Sequence, residues 1–187
     1  GGWFDSELTR RGHEQAHRIA ESLAKRVQPG ATLYSSDLRR TAQTTAAIRE
    51  RIPVDPIWLT ELREKSYGIG EGEPDAWFRE RFIPPPLDGE RMDHDEGLEG
   101  AETKRQWARR VYAGMETILS GSAQQKIIVT HGGSANLVIA RWIGMPLDAL
   151  DRIAFTLDSG SITRLVEDDY FHNRAVAHLN DTAHLAS

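Results

Sequence analysis

The chain reads as an α/β protein, a three-layer α/β/α sandwich around a mostly parallel sheet, and three observations predict this. Two short apolar runs, at 31–34 and 127–129, are each followed by a turn and a helix-forming stretch, as in sheets covered on both faces. Two longer stretches carry apolar residues at helical spacing. The end of the chain alternates strand-like runs with turns.

Taken in order, Ala16, Ile19, Ala20, Leu23, Ala24 and Val27 form the first helical stripe, stopped by Pro29-Gly30. Residues 31–34 then read as a buried strand. Ser35, Ser36 and Asp37 are helix N-cap types, and 38–48 has helix-forming content. Residues 72–100, rich in proline, glycine and charge, read as a lid-like insertion over the site and not as a sheet element. Trp107, Val111, Met115, Ile118 and Leu119 form the second stripe, ended by Gly121. Ile127, Ile128 and Val129 make a β-branched strand, and Ser134 is expected to cap a helix carrying Leu137, Val138, Ile139 and Trp142 into the core. Runs at 153–157, 161–166 and 175–179 are expected strands, with turns at 158–160 and 167–170. No internal repeat divides the chain, and 187 residues make a single domain over 1–187.

Composition narrows the function. Hydrophobic content of 39% and charged content of 27% are those of a soluble globular protein, and no apolar run approaches the roughly 20 residues of a membrane span. A net charge of −5 with no basic stripe argues against a nucleic-acid binder, and we expect neither nucleic acid nor membrane as partner, in a cytoplasmic setting. Oligomeric state is left open. Zero cysteines removes disulfides and thiolate metal sites. Met92-Asp93-His94-Asp95 has no common metal-ligand spacing, so no metal and no cofactor are expected.

Three segments carry chemistry. At 34–46 a strand, a cap and a helix start would leave backbone N–H groups facing one spot, with Arg40 in the first turn able to fork onto two phosphate oxygens. The plain alternative is a helix start with two solvated arginines, Arg39 and Arg40. At 126–144 His131 stands at the carboxyl end of a strand and is followed by Gly132-Gly133, where open α/β sheets place their ligands. At 62–72 Glu64 lies in a polar, glycine-punctuated stretch. A carboxyl beside an anionic substrate suits a general acid, although the chain has 28 acidic residues to choose from.

Together these segments resemble the histidine phosphatase (phosphoglycerate-mutase-like) superfamily. SSDLRRT at 35–41 resembles its Ser-Ser-x-Leu-x-Arg-Ala/Thr motif, with the phosphate-binding arginine at Arg40. IVTHGG at 128–133 resembles the segment of its second catalytic histidine, at His131, and LREKSYG at 62–68 the segment of its acid, at Glu64. The opening GGWFDSELTRRGHEQA and the tail HLNDTAHL at 178–185 are also similar to family segments. The family's Arg-His-Gly motif, whose histidine is the nucleophile, is absent. His13 and His17 do not replace it, since they follow no strand. Either the sequence begins inside a longer protein or the chain is a non-catalytic relative. Gly1 in place of methionine, and the cost of a sheet lacking its central strand, favour the first.

The resemblance implies a two-step phosphoryl transfer through a phosphohistidine without a metal. Glu64 acts as acid and then base, His131 and Arg40 meet the phosphoryl charge, and Gly132 contributes to phosphate binding. Gly2, Arg79 and Arg81 become substrate-binding candidates, for a small-molecule phosphate ester. RERFIPPPL at 79–87 is reminiscent of a phosphoglycerate mutase run, but Glu80 separates its arginines. GIGEG at 68–72 and the tail favour a phosphomonoesterase over a mutase. A pseudo-phosphatase that only binds is the third reading.

Overall fold

The computed structural model describes residues 1–186. Its five α-helices are α1 (Arg10–Ala24), α2 (Arg39–Arg51), α3 (Asp75–Arg81), α4 (Lys104–Ser120) and α5 (Gly132–Trp142). Its strands are β1 (Thr32–Ser35), β2 (Pro56–Trp58), β3 (Lys126–Val129), β4 (Ile162–Glu167) and β5 (Arg174–Asp181). Strands β2-β1-β3 form a parallel sheet, with Leu33 opposite both Pro56 and Ile127, while β4 and β5 pair antiparallel as a second sheet.

The alternation of side chains along β1 and β3 divides the core. Leu33 and Ile127 face Ala16, Ala20, Ala47 and Ile48 of α1 and α2. Tyr34 and Ile128 face Val111, Met115, Leu137 and Val138 of α4 and α5. A period of two in the strands thus supplies both apolar faces, and a helical stripe covers each.

Local expectations need four corrections. The N-cap of α2 is Leu38, with no side-chain cap, because Asp37 is drawn away into an ion pair with Arg63. Ser134 lies inside α5, whose N-cap is His131. Residues 153–157 form no strand: they alternate like one, yet the Phe155 N–H is taken by the Asn136 side chain instead of a neighbouring strand. Strand β2 escaped notice, being three residues long, opened by proline, and exposed at Ile57 and Trp58. The 72–100 segment holds one helix, α3, and no strand among the described residues. Its Met92-Asp93-His94-Asp95 run is committed internally: Asp93 to Arg105, His94 to the Ile83 carbonyl and Asp95 to the Gly97 N–H.

Candidate active site

Each of the three chemistry-bearing residues follows the carboxyl end of its own parallel strand. Arg40 comes after β1 in the first turn of α2, Glu64 after β2 and the single helical turn Thr60–Leu62, and His131 after β3 at the N-cap of α5. Parallel pairing brings those ends together. Arg40 Nε donates to His131 Nδ1 at 3.1 Å. Glu64 lies against the same turn, its Oε2 accepting the Gly133 N–H at 2.9 Å and its Oε1 the Ser134 N–H at 3.1 Å.

His131 is buried and neutral. Accepting from Arg40 at Nδ1 leaves the proton on Nε2, which is 2.9 Å from the Ser36 hydroxyl. Burial, and then the cations Arg40 and Arg110, push its pKa down to about 3, with Asp37 opposing. The ring thus carries no charge of its own, and its Nε2 proton is what it can offer an incoming oxygen. Arg40 is half-withdrawn from water, and burial is also the main cause of the downward shift in its pKa. Its other nitrogens donate to the Phe4 carbonyl at 2.9 Å and the Gly2 carbonyl at 2.7 Å. The chain's own backbone fills the fork that sequence reasoning assigned to phosphate.

The first turn of α5 is likewise used. Glu64 sits where a helix start offers unsatisfied N–H groups. Gly133 permits this approach: a Cβ there would lie 2.5 Å from Glu64 Oε1 and 2.6 Å from the Trp107 ring. Gly132 is exposed, with open space beside its Cα, so an incoming anion can still reach this helix start there.

Gly2 is buried, and its φ of +65° combined with the nearness of Glu71 excludes a side chain. The Glu71 carboxylate in turn receives the Phe4 and Tyr67 N–H groups at 2.8 and 2.7 Å, which fixes the opening segment to the loop beyond Glu64. Burial, followed by the carboxylates Glu96, Glu64 and Glu71, pushes the Tyr67 phenol up to about 12. Arg79 and Arg81 form no hydrogen bond or ion pair with Arg40, Glu64 or His131. Both are exposed on α3, where Arg81 pairs with Glu80 at 3.1 Å and lies over the Trp77 ring.

Two residues escaped sequence reasoning. Trp3 donates from Nε1 to the Glu64 carbonyl at 2.6 Å, and the guanidiniums of Arg63 and Arg110 lie 4.9 and 5.4 Å from its ring centre. Arg110 gathers the carbonyls of the whole Glu64 loop. An arginine three residues after Trp107, beside the apolar stripe of α4, was the available signal.

The profile of the histidine phosphatase superfamily (branch 1) matches residues 1–182. The chain belongs to this superfamily. A curated relative, the probable phosphoglycerate mutase GpmB of Yersinia pestis (strain Pestoides F), is 29% identical over 192 residues, spanning 98% of this chain and 86% of the relative. Among solved structures, the α-ribazole phosphatase of Shigella flexneri superposes with a TM-score of 0.77 at 23% identity, covering 97% of this chain and 87% of its own. A mycobacterial glucosyl-3-phosphoglycerate phosphatase gives 0.70 at 23% identity, covering 97% and 90%. At these identities the structures establish the histidine phosphatase fold alone. The superfamily holds both phosphatases and mutases, and its architecture is the mixed α/β one described above.

Proposed function

We propose that this protein is a phosphomonoesterase that acts through a phosphohistidine on a small phosphorylated metabolite. The observation that carries the reading is the convergence of Arg40, His131 and Glu64 at the carboxyl ends of three parallel strands. A phosphoryl group entering there takes over the Arg40 fork from the Gly2 and Phe4 carbonyls and accepts from His131. Both contacts strengthen as charge builds on the equatorial oxygens. Glu64 delivers a proton to the leaving oxygen in the first step and draws one from water in the second.

The nucleophilic histidine belongs, on this proposal, to a strand ahead of Gly1. Its support is that β3 has a strand partner on one side only among the described residues, next to the turn that carries His131. Residues 72–100 act as the lid of a single catalytic domain. Hydrolysis is preferred to mutase transfer because Arg79 and Arg81 form no joint clamp for a second phosphate, Arg81 being paired with Glu80. The GpmB-like relative's name speaks for the mutase reading.

Incubating the full-length protein with p-nitrophenyl phosphate and, separately, with 3-phosphoglycerate separates these readings. Release of inorganic phosphate through an acid-labile phosphoenzyme is the expected result. Efficient exchange between 2- and 3-phosphoglycerate with little hydrolysis would make it a mutase. Phosphate binding with no turnover would make it a binding module.

A further inference from the structure

We propose that Arg110 is a positioning residue that holds Glu64 at the reacting centre through the main chain of its loop; this rests on the reading of Glu64 as acid. Arg110 comes from α4, 46 residues away, and touches neither the imidazole nor any open anion site. Its Nη1 donates to the carbonyls of Glu61 and Arg63 at 3.0 Å each and, more weakly, of Thr60 at 3.3 Å. Its Nη2 donates to the Glu64 carbonyl at 3.0 Å. Four carbonyls of one short loop therefore point at one guanidinium. The remaining donors go to Glu102, from Nε at 2.7 Å and Nη2 at 2.6 Å, and Glu102 also accepts the Ser66 N–H at 2.9 Å. The pair thus grips the loop on both sides of Glu64.

Other contacts reinforce this grip, and one reaches the Leu62 carbonyl that Arg110 leaves free. Thr130 Oγ1 donates to the Leu62 carbonyl, Ser134 Oγ to the Arg63 carbonyl and Trp3 Nε1 to the Glu64 carbonyl. With its backbone held, the Glu64 side chain can meet the Gly133 and Ser134 N–H groups without searching for them. Arginine is needed for geometric reasons. Its planar fork spreads five N–H groups over a fixed fan, whereas an ammonium offers three from a single point and cannot span carbonyls from residues 60 to 64 and a carboxylate together.

The test compares leaving groups in the full-length protein. An aryl phosphate departs with little protonation, whereas an alkyl phosphate needs the acid. Glu64→Gln should lower kcat/KM, which reports the step that expels the leaving group and not the later hydrolysis common to both esters, on the order of a hundredfold on glycerol 3-phosphate and much less on p-nitrophenyl phosphate. Arg110→Lys should show the same selective loss, at least tenfold greater on the alkyl ester, with inhibition by inorganic phosphate unchanged because Arg40 is untouched. Combining the two substitutions should add almost nothing to Glu64→Gln alone. Equal losses on both esters, or additive losses in the double variant, would reduce Arg110 to a general structural role and overturn the proposal. If Glu64→Gln itself ignores the leaving group, the acid assignment fails and the Arg110 inference falls with it, an outcome visible before Arg110 is altered. Should Arg110→Lys not fold, Glu102→Gln loosens the same grip with the guanidinium in place, and it must give the same selectivity for the inference to stand.

Discussion

A single hydrogen atom decides what residue 133 can be. Gly133 leaves room for the Glu64 carboxylate and the Trp107 ring, and a methyl group would meet both inside 2.7 Å. Trp107 cannot yield, since its indole N–H is tied to the Ser134 hydroxyl. Glu64 must therefore move. Gly133→Ala should cut turnover of an alkyl phosphate ester by a factor of ten or more, with little change in phosphate affinity, whereas Gly132→Ala should be mild because nothing lies beside it. Steady-state kinetics on the pair checks this, and equal behaviour of the two variants would contradict the packing argument. Arg40 and His131 were legible in the sequence because each follows a strand-and-turn signal, whereas Glu64 was found only through the likeness of its segment to the family's acid segment, its own strand β2 having gone unseen. Arg110 was not, because its meaning lies in backbone carbonyls about fifty residues away. No local pattern announces that four of them will converge.

Helix α4 is the element on which that convergence depends, and its start is well made. Thr103 Oγ1 accepts the Gln106 N–H at 3.2 Å, and the Gln106 side chain accepts the Thr103 N–H at 2.9 Å. Two end donors are thus satisfied at once. Thr103→Ala should lose about 1 kcal/mol, a fall of roughly 2–4 °C in Tm, and Thr103→Ser should recover most of it. Thermal unfolding measures both, and an unchanged alanine variant would show that the box contributes nothing here. The stripes of α1 and α4 could be read directly from their spacing. The caps of α2 and α5 could not, because tertiary partners claimed the local candidates: Arg63 took Asp37, while the Arg63 carbonyl and Trp107 took the Ser134 hydroxyl. Strand β2 was hidden by its brevity, and 153–157 was misread because alternation alone cannot say whether a neighbouring strand exists.

At the scale of the whole molecule, the buried imidazole links stability to acidity. The unfolded chain takes up a proton on His131 as pH falls through its ordinary 6.5, while the folded protein refuses it until about 3. Between those values the unfolded state binds more protons, so stability falls with pH by at most about 1.4 kcal/mol per unit from this residue. Denaturant unfolding at pH 7 and pH 5 should show the decline, and His131→Asn should flatten it. An identical slope in the variant would place the acid sensitivity elsewhere.

The contact between Arg40 and His131 has a further consequence for how the protein greets its ligand. The imidazole is neutral partly because a guanidinium faces it across 3.1 Å. A phosphate dianion drawn between them replaces that cation's field with a negative one, and the same ring that repelled a proton now attracts one. Binding should therefore consume hydrogen ions from solution. The heat of titrating inorganic phosphate into the protein near neutral pH should then depend on the ionisation enthalpy of the buffer, and affinity should weaken as the solution turns alkaline. A heat that is the same in every buffer would mean that His131 meets the phosphate with its single Nε2 proton and stays neutral throughout.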